Sequence, residues 1–316
     1  MTVKNAGTPQ RPLSSVLAEW WAGDVLWSFR RTPYAMVSAL VVLTLVLVAS
    51  FAAVTAPHNP YDLATFNLLD SELPPMWLPE GRAEFPLGTD TQGRDVLSLI
   101  IYGTRLSLLV GFASVLFAVV LGVSLGLLSG YSGGWLDAII MRTADVKLSF
   151  PAILVALLIN GIARGFLPRE YHEAIIIPVL VFSIGMSGWV HYARTVRGIV
   201  MVERAKEYVQ AARVLGRKPW QIAVLHVLPN TLSPVSVIAT INLATAILME
   251  ATLSFLGVGM PPTEPSLGTL IKVGNEYMFS GIWWVTVFPS LVLVVLVLAV
   301  NLLGDWLRDA LNPKLN

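Results

Sequence analysis

Long charge-free apolar runs alternate along the chain with short charged punctuation. Val37–Ala56, Leu106–Leu128, Ala174–Val190, Thr231–Met249 and Tyr277–Gly304 contain no Asp, Glu, Lys or Arg. A run of about 20 apolar residues spans a hydrocarbon layer roughly 30 Å thick, so these five runs predict membrane-crossing helices. Tyr277–Gly304 is long enough to tilt. Ala174–Val190 is shorter and contains Pro178, which predicts a kink. A sixth span is expected over Leu136–Ala163. Its first half carries Asp137, Arg142, Asp145 and Lys147, Pro151 interrupts it, and Leu148–Ala163 is apolar. Run length favours helices over a barrel. The expected fold class is an all-α polytopic membrane protein with six transmembrane helices.

Between the first two spans lies Pro57–Asp95, rich in proline and poor in apolar periodicity. It predicts an extended cover rather than a separate domain. Val96, Leu97, Ile100 and Ile101 follow at helical spacing, which suits either a short interfacial helix or a longer second span. The segment before Val37 is mostly polar, with no convincing cleavage site, so the first run reads as an uncleaved span. No internal repeat or low-complexity tract is evident.

Composition agrees with this picture. Of 316 residues, 55% are hydrophobic and 13% charged, against about 25% charged in soluble domains. The net charge of +1 gives no bulk field for a nucleic-acid partner. The chain has no cysteine, which excludes disulfides, thiol chemistry and Cys-ligated metals. His58, His172, His191 and His226 have no metal-ligand spacing, and none of the sequence matches G-x-x-x-x-G-K-[ST] or H-E-x-x-H. Lys and Arg concentrate on one set of connecting segments. Lys4, Arg11, Arg30 and Arg31, then Arg142 and Lys147, then Arg194 through Lys218, and finally Arg308 and Lys314 fall on the same side. The other side has Arg82, Arg94, Arg105, Arg164, Arg169 and Lys272. The positive-inside bias places both termini and the segment after the fourth span in the cytoplasm.

That segment, EYVQAARVLGRKPWQIAVLHVLPN (Glu207–Asn230), is punctuated as helix, sharp turn, helix. Ala205, Tyr208, Val209, Ala212 and Leu215 form an amphipathic stripe. Gly216 stands where a helix C-terminal glycine belongs. Pro219 suits the first turn of a second helix, and Pro229 is expected to break that helix before the fifth span. Such a stiff knob suits transmission of position between a soluble partner and the membrane helices. An amphipathic helix resting on anionic headgroups fits the same residues.

QAARVLG (Gln210–Gly216) followed by HVLPN (His226–Asn230) resembles the coupling motif of ABC-transporter permeases: EAA, three residues, Gly, nine residues, I-x-L-P. Ala211, Ala212, Gly216, Leu228 and Pro229 match it. Gln210 replaces the glutamate and His226 the isoleucine, departures that resemble the peptide-transporter branch. FPLGTDTQGRDVLSLIIYGTRLSL, GYSGGWLDAIIMRTADVKLSFP and EATLSFLGVGMPPTEPSLG are similar to the DppC/OppC-type permeases for dipeptides, oligopeptides and nickel. The resemblance covers nearly the whole chain from about residue 30.

The resemblance implies a type I importer permease in a bacterial cytoplasmic (inner) membrane. Its organisation would be an N-terminal segment (1–33), a first helix and outer loop (34–102), a permease domain (103–304) with coupling helices at about 203–229, and a tail (305–316). The implied partners are a second homologous permease, two ATP-binding subunits, an extracytoplasmic binding protein and membrane lipid. ATP and Mg reside on the partner subunits, and this chain binds no cofactor and is not itself catalytic. Glu207, Gln210, Ala211, Ala212, Arg213, Gly216, Pro219, Leu228 and Pro229 are implied to couple to an ATPase, with small residues such as Ala212 permitting close approach. Arg217 and Lys218 add rim contacts. Among residues near the membrane, Asp145, Lys147 and Glu250 are candidates for a translocation path or gate. The alternatives are snorkelling or mutual pairing of Asp145 and Lys147, and a capping role for Glu250. Asn160, Asn242 and Asn301 suit either a pore lining or interhelical hydrogen bonds. Asp90 and Asp95 suit helix caps. Short peptides are the expected cargo; nickel, glutathione, opines and antimicrobial peptides fit the same architecture. A stand-alone secondary transporter would leave the knob without purpose, and a membrane enzyme would need a catalytic constellation that the sequence does not offer.

Overall fold

The first apolar run folds as α2 (Pro33–Ser50), preceded by the short α1 (Asp24–Arg31) and followed by one turn, α3 (Ala52–Thr55). Thr32 is the residue before Pro33 and takes extended backbone angles, as the ring of a following proline requires. The computed structural model describes residues 24–62, 68–166, 168 and 172–310. Among these residues regular structure is helical, apart from one antiparallel bridge between Thr89 and Asp95.

The second run lies in α4 (Val96–Ser132), a single 37-residue helix. Of the two sequence readings here, the longer span is the one observed. The Asp95 carboxylate caps the helix, accepting from the N–H groups of Leu97 at 3.3 Å and Ser98 at 3.0 Å. Gly133, at φ +67, ends it.

The third span is not a straight crossing. It consists of α5 (Gly134–Leu148) and α6 (Ala152–Phe166), whose axes are bent by 96°. Pro151 offers no N–H and disfavours helical angles at Phe150, so the chain turns where the sequence is interrupted. By contrast Pro178 lies within one uninterrupted helix, α7 (His172–Glu203). Then come α8 (Glu207–Val214), α9 (Pro219–Ile222), α10 (Pro229–Phe255), α11 (Leu267–Tyr277) and α12 (Trp284–Ala310). The expected Tyr277–Gly304 span is thus divided. A 3₁₀ turn at Met278–Ser280 and left-handed Gly281 (φ +98) close α11, and the spanning helix starts at Trp284 and runs past Gly304. Among the described residues, five helices are long and apolar enough to cross a membrane, or six when the bent pair counts as one.

Lipid gives helices no hydrophobic reason to associate, so close backbone approach and hydrogen bonds must hold the bundle. The longest shared face joins α4 to α7. It is built on glycines at four-residue spacing. A Cβ on Gly122 would lie 2.5 Å from the Trp189 carbonyl oxygen, one on Gly126 2.6 Å from that of Ala193, and one on Gly130 2.9 Å from that of Arg197. Any side chain there would drive the two helices apart. A second packing centre groups Leu99, Ile247, Leu267, Leu296 and Val300 from α4, α10, α11 and α12. Large apolar side chains such as Phe112, Leu116 and Leu291 point outward, as a lipid-facing bundle requires.

The proline-rich connection lies over the end of the bundle opposite α8. The Trp284 indole N–H donates to the Thr89 carbonyl at 2.9 Å, and the buried Arg94 pairs with Asp90 at 2.7 Å while donating to the Pro262 carbonyl at 3.0 Å. Asp90 also accepts from the backbone N–H of Gln92 and Arg94. It therefore braces the turn before α4 rather than capping a helix, which Asp95 does.

Candidate functional site

The charged stretch forms a compact knob between α7 and α10. Its turn is a Schellman motif: the Gly216 N–H donates to the Arg213 carbonyl at 2.9 Å and the Arg217 N–H to the Ala212 carbonyl at 3.2 Å. Gly216 has φ +75, and a Cβ there would meet nothing within 4 Å. The glycine is needed for its backbone angle, not for space. Pro219 takes the first position of α9, and the Gln221 side chain accepts from the Lys218 N–H at 3.3 Å.

Pro229 does not break the path into α10. Residues Ala223–Val227 form a π turn, in which the Leu228 N–H donates to the Ala223 carbonyl at 2.9 Å, and Leu228 keeps helical angles. The widened turn absorbs the missing N–H and the bulk of the ring. Backbone rotation therefore stays helical from Pro219 to the end of α10, and the knob is continuous with a spanning helix.

Packing fixes its other side. Val209, Ala212, Ile222 and Val227 are buried against Tyr192, Val196 and Val200 of α7 and Val235 of α10. Ala212 faces this interior, so its small size serves the knob's own packing and not the close approach of another protein. Of the five residues of the expected apolar stripe, two are inside. Val209 and Ala212 are buried, whereas Ala205 and Tyr208 are exposed and Leu215 is 81% exposed. Leu215 is the cap residue after the last helical turn, and the reversal at Gly216 leaves its side chain outside. Together with Val214 (88% exposed) and Trp220 (61%) it forms an apolar tip. Glu207, Gln210, Ala211, Arg213, Gly216 and Pro219 are exposed around that tip, Leu228 is half-buried, and Pro229 is exposed.

A polar knot at the base went unread in the sequence. The buried Glu203 carboxylate, at the end of α7, accepts from Lys206 Nζ at 2.6 Å, Tyr208 Oη at 2.7 Å and Asn230 Nδ2 at 3.3 Å. Asn230 also donates to Tyr208 Oη at 3.1 Å and to the His226 carbonyl at 3.2 Å. Burial, and then the neighbouring Glu203, push the Tyr208 phenol up, so it remains a donor. One carboxylate thereby ties α7, α8 and α10 together. Next to it, Arg204 donates to the Gly130 carbonyl at 2.9 Å at the end of α4, the terminus where cations are favoured. Arg197 grips Asp137 through Nε at 2.5 Å and Nη2 at 2.7 Å. Tyr208 and Asn230 lie 5 and 27 residues from Glu203 in sequence, and no local pattern flags a cluster that spans the whole knob.

The candidates for a path or gate are not brought together. Asp145 pairs with Arg194, and Lys147 donates to the Ser187 carbonyl. The two do not pair with each other. Glu250 is fully buried towards the opposite end of the bundle, accepting from Ser107 and Ser254, each at 2.7 Å. The same serines accept from the Leu267 N–H at 3.3 Å and the Met260 N–H at 3.1 Å, so Glu250 organises the loop between α10 and α11. Among the described residues, no group of three or more His, Asp or Glu is arranged to hold a metal.

Comparison with known proteins places this geometry in context. Residues 122–316 match the family described as binding-protein-dependent transport system inner membrane component. Residues 20–75 match the N-terminal TM domain of oligopeptide transport permease C. The chain is 38% identical over 307 residues to the dipeptide transport system permease protein DppC of Haemophilus influenzae, covering 97% of this chain and 96% of that one. It is 39% identical over 310 residues to the di/tripeptide transport system permease protein DppC of Pseudomonas aeruginosa, covering 98% and 96%. In structure it is similar to a chain of the MetNI methionine ABC transporter in an inward-facing conformation, with a TM-score of 0.52 at 22% identity over 68% of this chain and 96% of that one. That likeness concerns the fold alone.

Proposed function

The chain belongs to the family of binding-protein-dependent transport system inner membrane components, and from that premise we propose that it is the peptide-conducting permease of an ATP-driven importer. It is not the catalyst. Two ATPase subunits carry ATP and Mg, a second related permease completes the channel, and an extracytoplasmic binding protein delivers di- and oligopeptides. Both termini and the knob lie on the cytoplasmic side of a bacterial inner membrane.

The observation that carries this reading is mechanical. The knob presents an exposed apolar tip (Val214, Leu215, Trp220) with a charged rim, and its base is joined to two spanning helices through Glu203 and through the helical run into α10. Exposed apolar clusters rimmed by polar groups mark protein contacts. A motor that closes on ATP and grips this tip moves α7 and α10 together, because the knob has no slack segment in which the displacement could be lost. ATP then biases the bundle between its inward- and outward-open arrangements by binding one of them better. Rim charges such as Glu207, Arg213 and Lys218 steer docking and contribute about 0–1 kcal/mol each while exposed.

Growth on a peptide nitrogen source, with and without this chain, together with uptake of labelled dipeptides, tests the reading. Uptake that requires both this chain and ATP is expected. Peptide uptake unchanged by deleting the chain, with a different cargo lost instead, overturns the peptide assignment.

A further inference from the structure

A cavity of about 90 Å³ opens among α4, α6, α7 and α10. Tyr192 on α7 and Asn242 on α10 line it. The Tyr192 hydroxyl and the Asn242 amide nitrogen are both buried and lie close enough to interact with each other, but neither completes a well-aligned hydrogen bond among the described residues. Tyr192 is fully buried. Most of the wall is apolar, including Ile184 and the adaptable Met249. Of the serines in it, Ser114 and Ser187 already donate to backbone carbonyls. A mainly apolar wall with a few convergent, unspent polar groups describes a small-molecule site better than a water pocket, in which each water wants two to four partners. The cavity has room for one amide unit, or for several waters at roughly 10–15 Å³ each. It lies on the two helices that join the knob, and the exposed residues of its wall are His191 and Thr245.

We propose that this cavity is a transient subsite for one amide unit of the passing cargo. The Asn242 amide donates to a peptide carbonyl, and the Tyr192 hydroxyl donates to the same oxygen or accepts from the neighbouring N–H. Lys147, held on the carbonyl of cavity-lining Ser187, leaves a cation near the edge for a carboxylate terminus. Because α4 and α6 supply the rest of its wall, a joint shift of α7 and α10 with the knob changes its shape and releases the cargo. The proposal rests on the peptide-import reading above.

The chain contains no cysteine, so Thr245→Cys introduces the chain's only thiol on the exposed part of the cavity wall. The assembled transporter, with its binding protein, is reconstituted in liposomes, held with a non-hydrolysable ATP analogue, and treated with a small neutral thiol reagent. Saturating dialanine is expected to slow labelling, and adding Asn242→Leu is expected to abolish that protection. Equal labelling with and without dialanine means the cavity holds only water and overturns the site. Independently, Asn242→Leu and Tyr192→Phe in the otherwise unaltered complex are expected to weaken dialanine uptake. Wild-type uptake by both at every concentration also overturns it. Uptake by the unaltered complex is measured in parallel. Its absence defeats the peptide-import reading itself, whereas uptake without protection defeats only this site.

Discussion

Tyr208 donates its phenolic hydrogen to the Glu203 carboxylate at 2.7 Å, bridging the bend that separates α7 from α8. This bond makes the knob an extension of the spanning helix rather than a loop hung from it. A hydrogen bond to a charged group contributes about 1.5–3 kcal/mol. Tyr208→Phe removes this one and keeps the ring. The variant complex is expected to assemble and hydrolyse ATP but to import fewer peptides per ATP. Proteoliposome uptake measured beside phosphate release gives that ratio, and an unchanged ratio contradicts the bridging role.

The turn at Gly216 makes a separate demand. An L-residue held at φ +75 costs roughly 1–2 kcal/mol, and open space around the position means nothing else is lost. Gly216→Ala is expected to reduce stimulation of ATPase activity by loaded binding protein only partly. Gly216→Pro cannot adopt that angle and removes the N–H given to Arg213, so it is expected to abolish stimulation while the protein still inserts. ATPase assays with loaded and unloaded binding protein distinguish the two.

Among the described residues, the side chains of the apolar tip are largely exposed and outside the packed clusters. Leu215→Asp together with Trp220→Ala is therefore expected to leave thermal stability within about 0.5 kcal/mol, as surface changes do, and yet to prevent co-purification of the ATPase subunits. Retained co-purification contradicts the assignment of the tip as the motor contact.

Deeper in the bundle, Gly126 permits backbone contact between α4 and α7. Gly126→Leu places atoms where the Ala193 carbonyl stands, 2.6 Å from the first added carbon. Overpacking costs about 1–3 kcal/mol even where neighbours can yield, and here the neighbour is helix backbone. Loss of folded protein from detergent extracts is expected, whereas a change to a similarly large residue at lipid-facing Leu116 is tolerated.

The spans and the knob were legible because their signals are local. Charge-free runs fix the helices, and Gly216 and Pro219 fix the turn. What escaped depends on distance. The Gly122, Gly126 and Gly130 stripe has meaning only against α7, and the Glu203–Tyr208–Asn230 knot joins two helices that the knob separates. Periodicity alone puts Leu215 inside, because the pattern runs on past Val214, where the helix stops. Pro229 suggests a break because a proline's missing N–H is visible in sequence, whereas the π turn that accommodates it is a property of the folded backbone.

A motor that moves the pore by gripping this knob must reach it from the cytosol. Leu215→Cys supplies the chain's only thiol. In intact cells a membrane-impermeant thiol reagent is expected to leave it unlabelled, while in inverted vesicles the same reagent labels it, and a bifunctional crosslinker joins it to an ATPase subunit. Labelling from outside in intact cells, or crosslinking to lipid alone, contradicts the account.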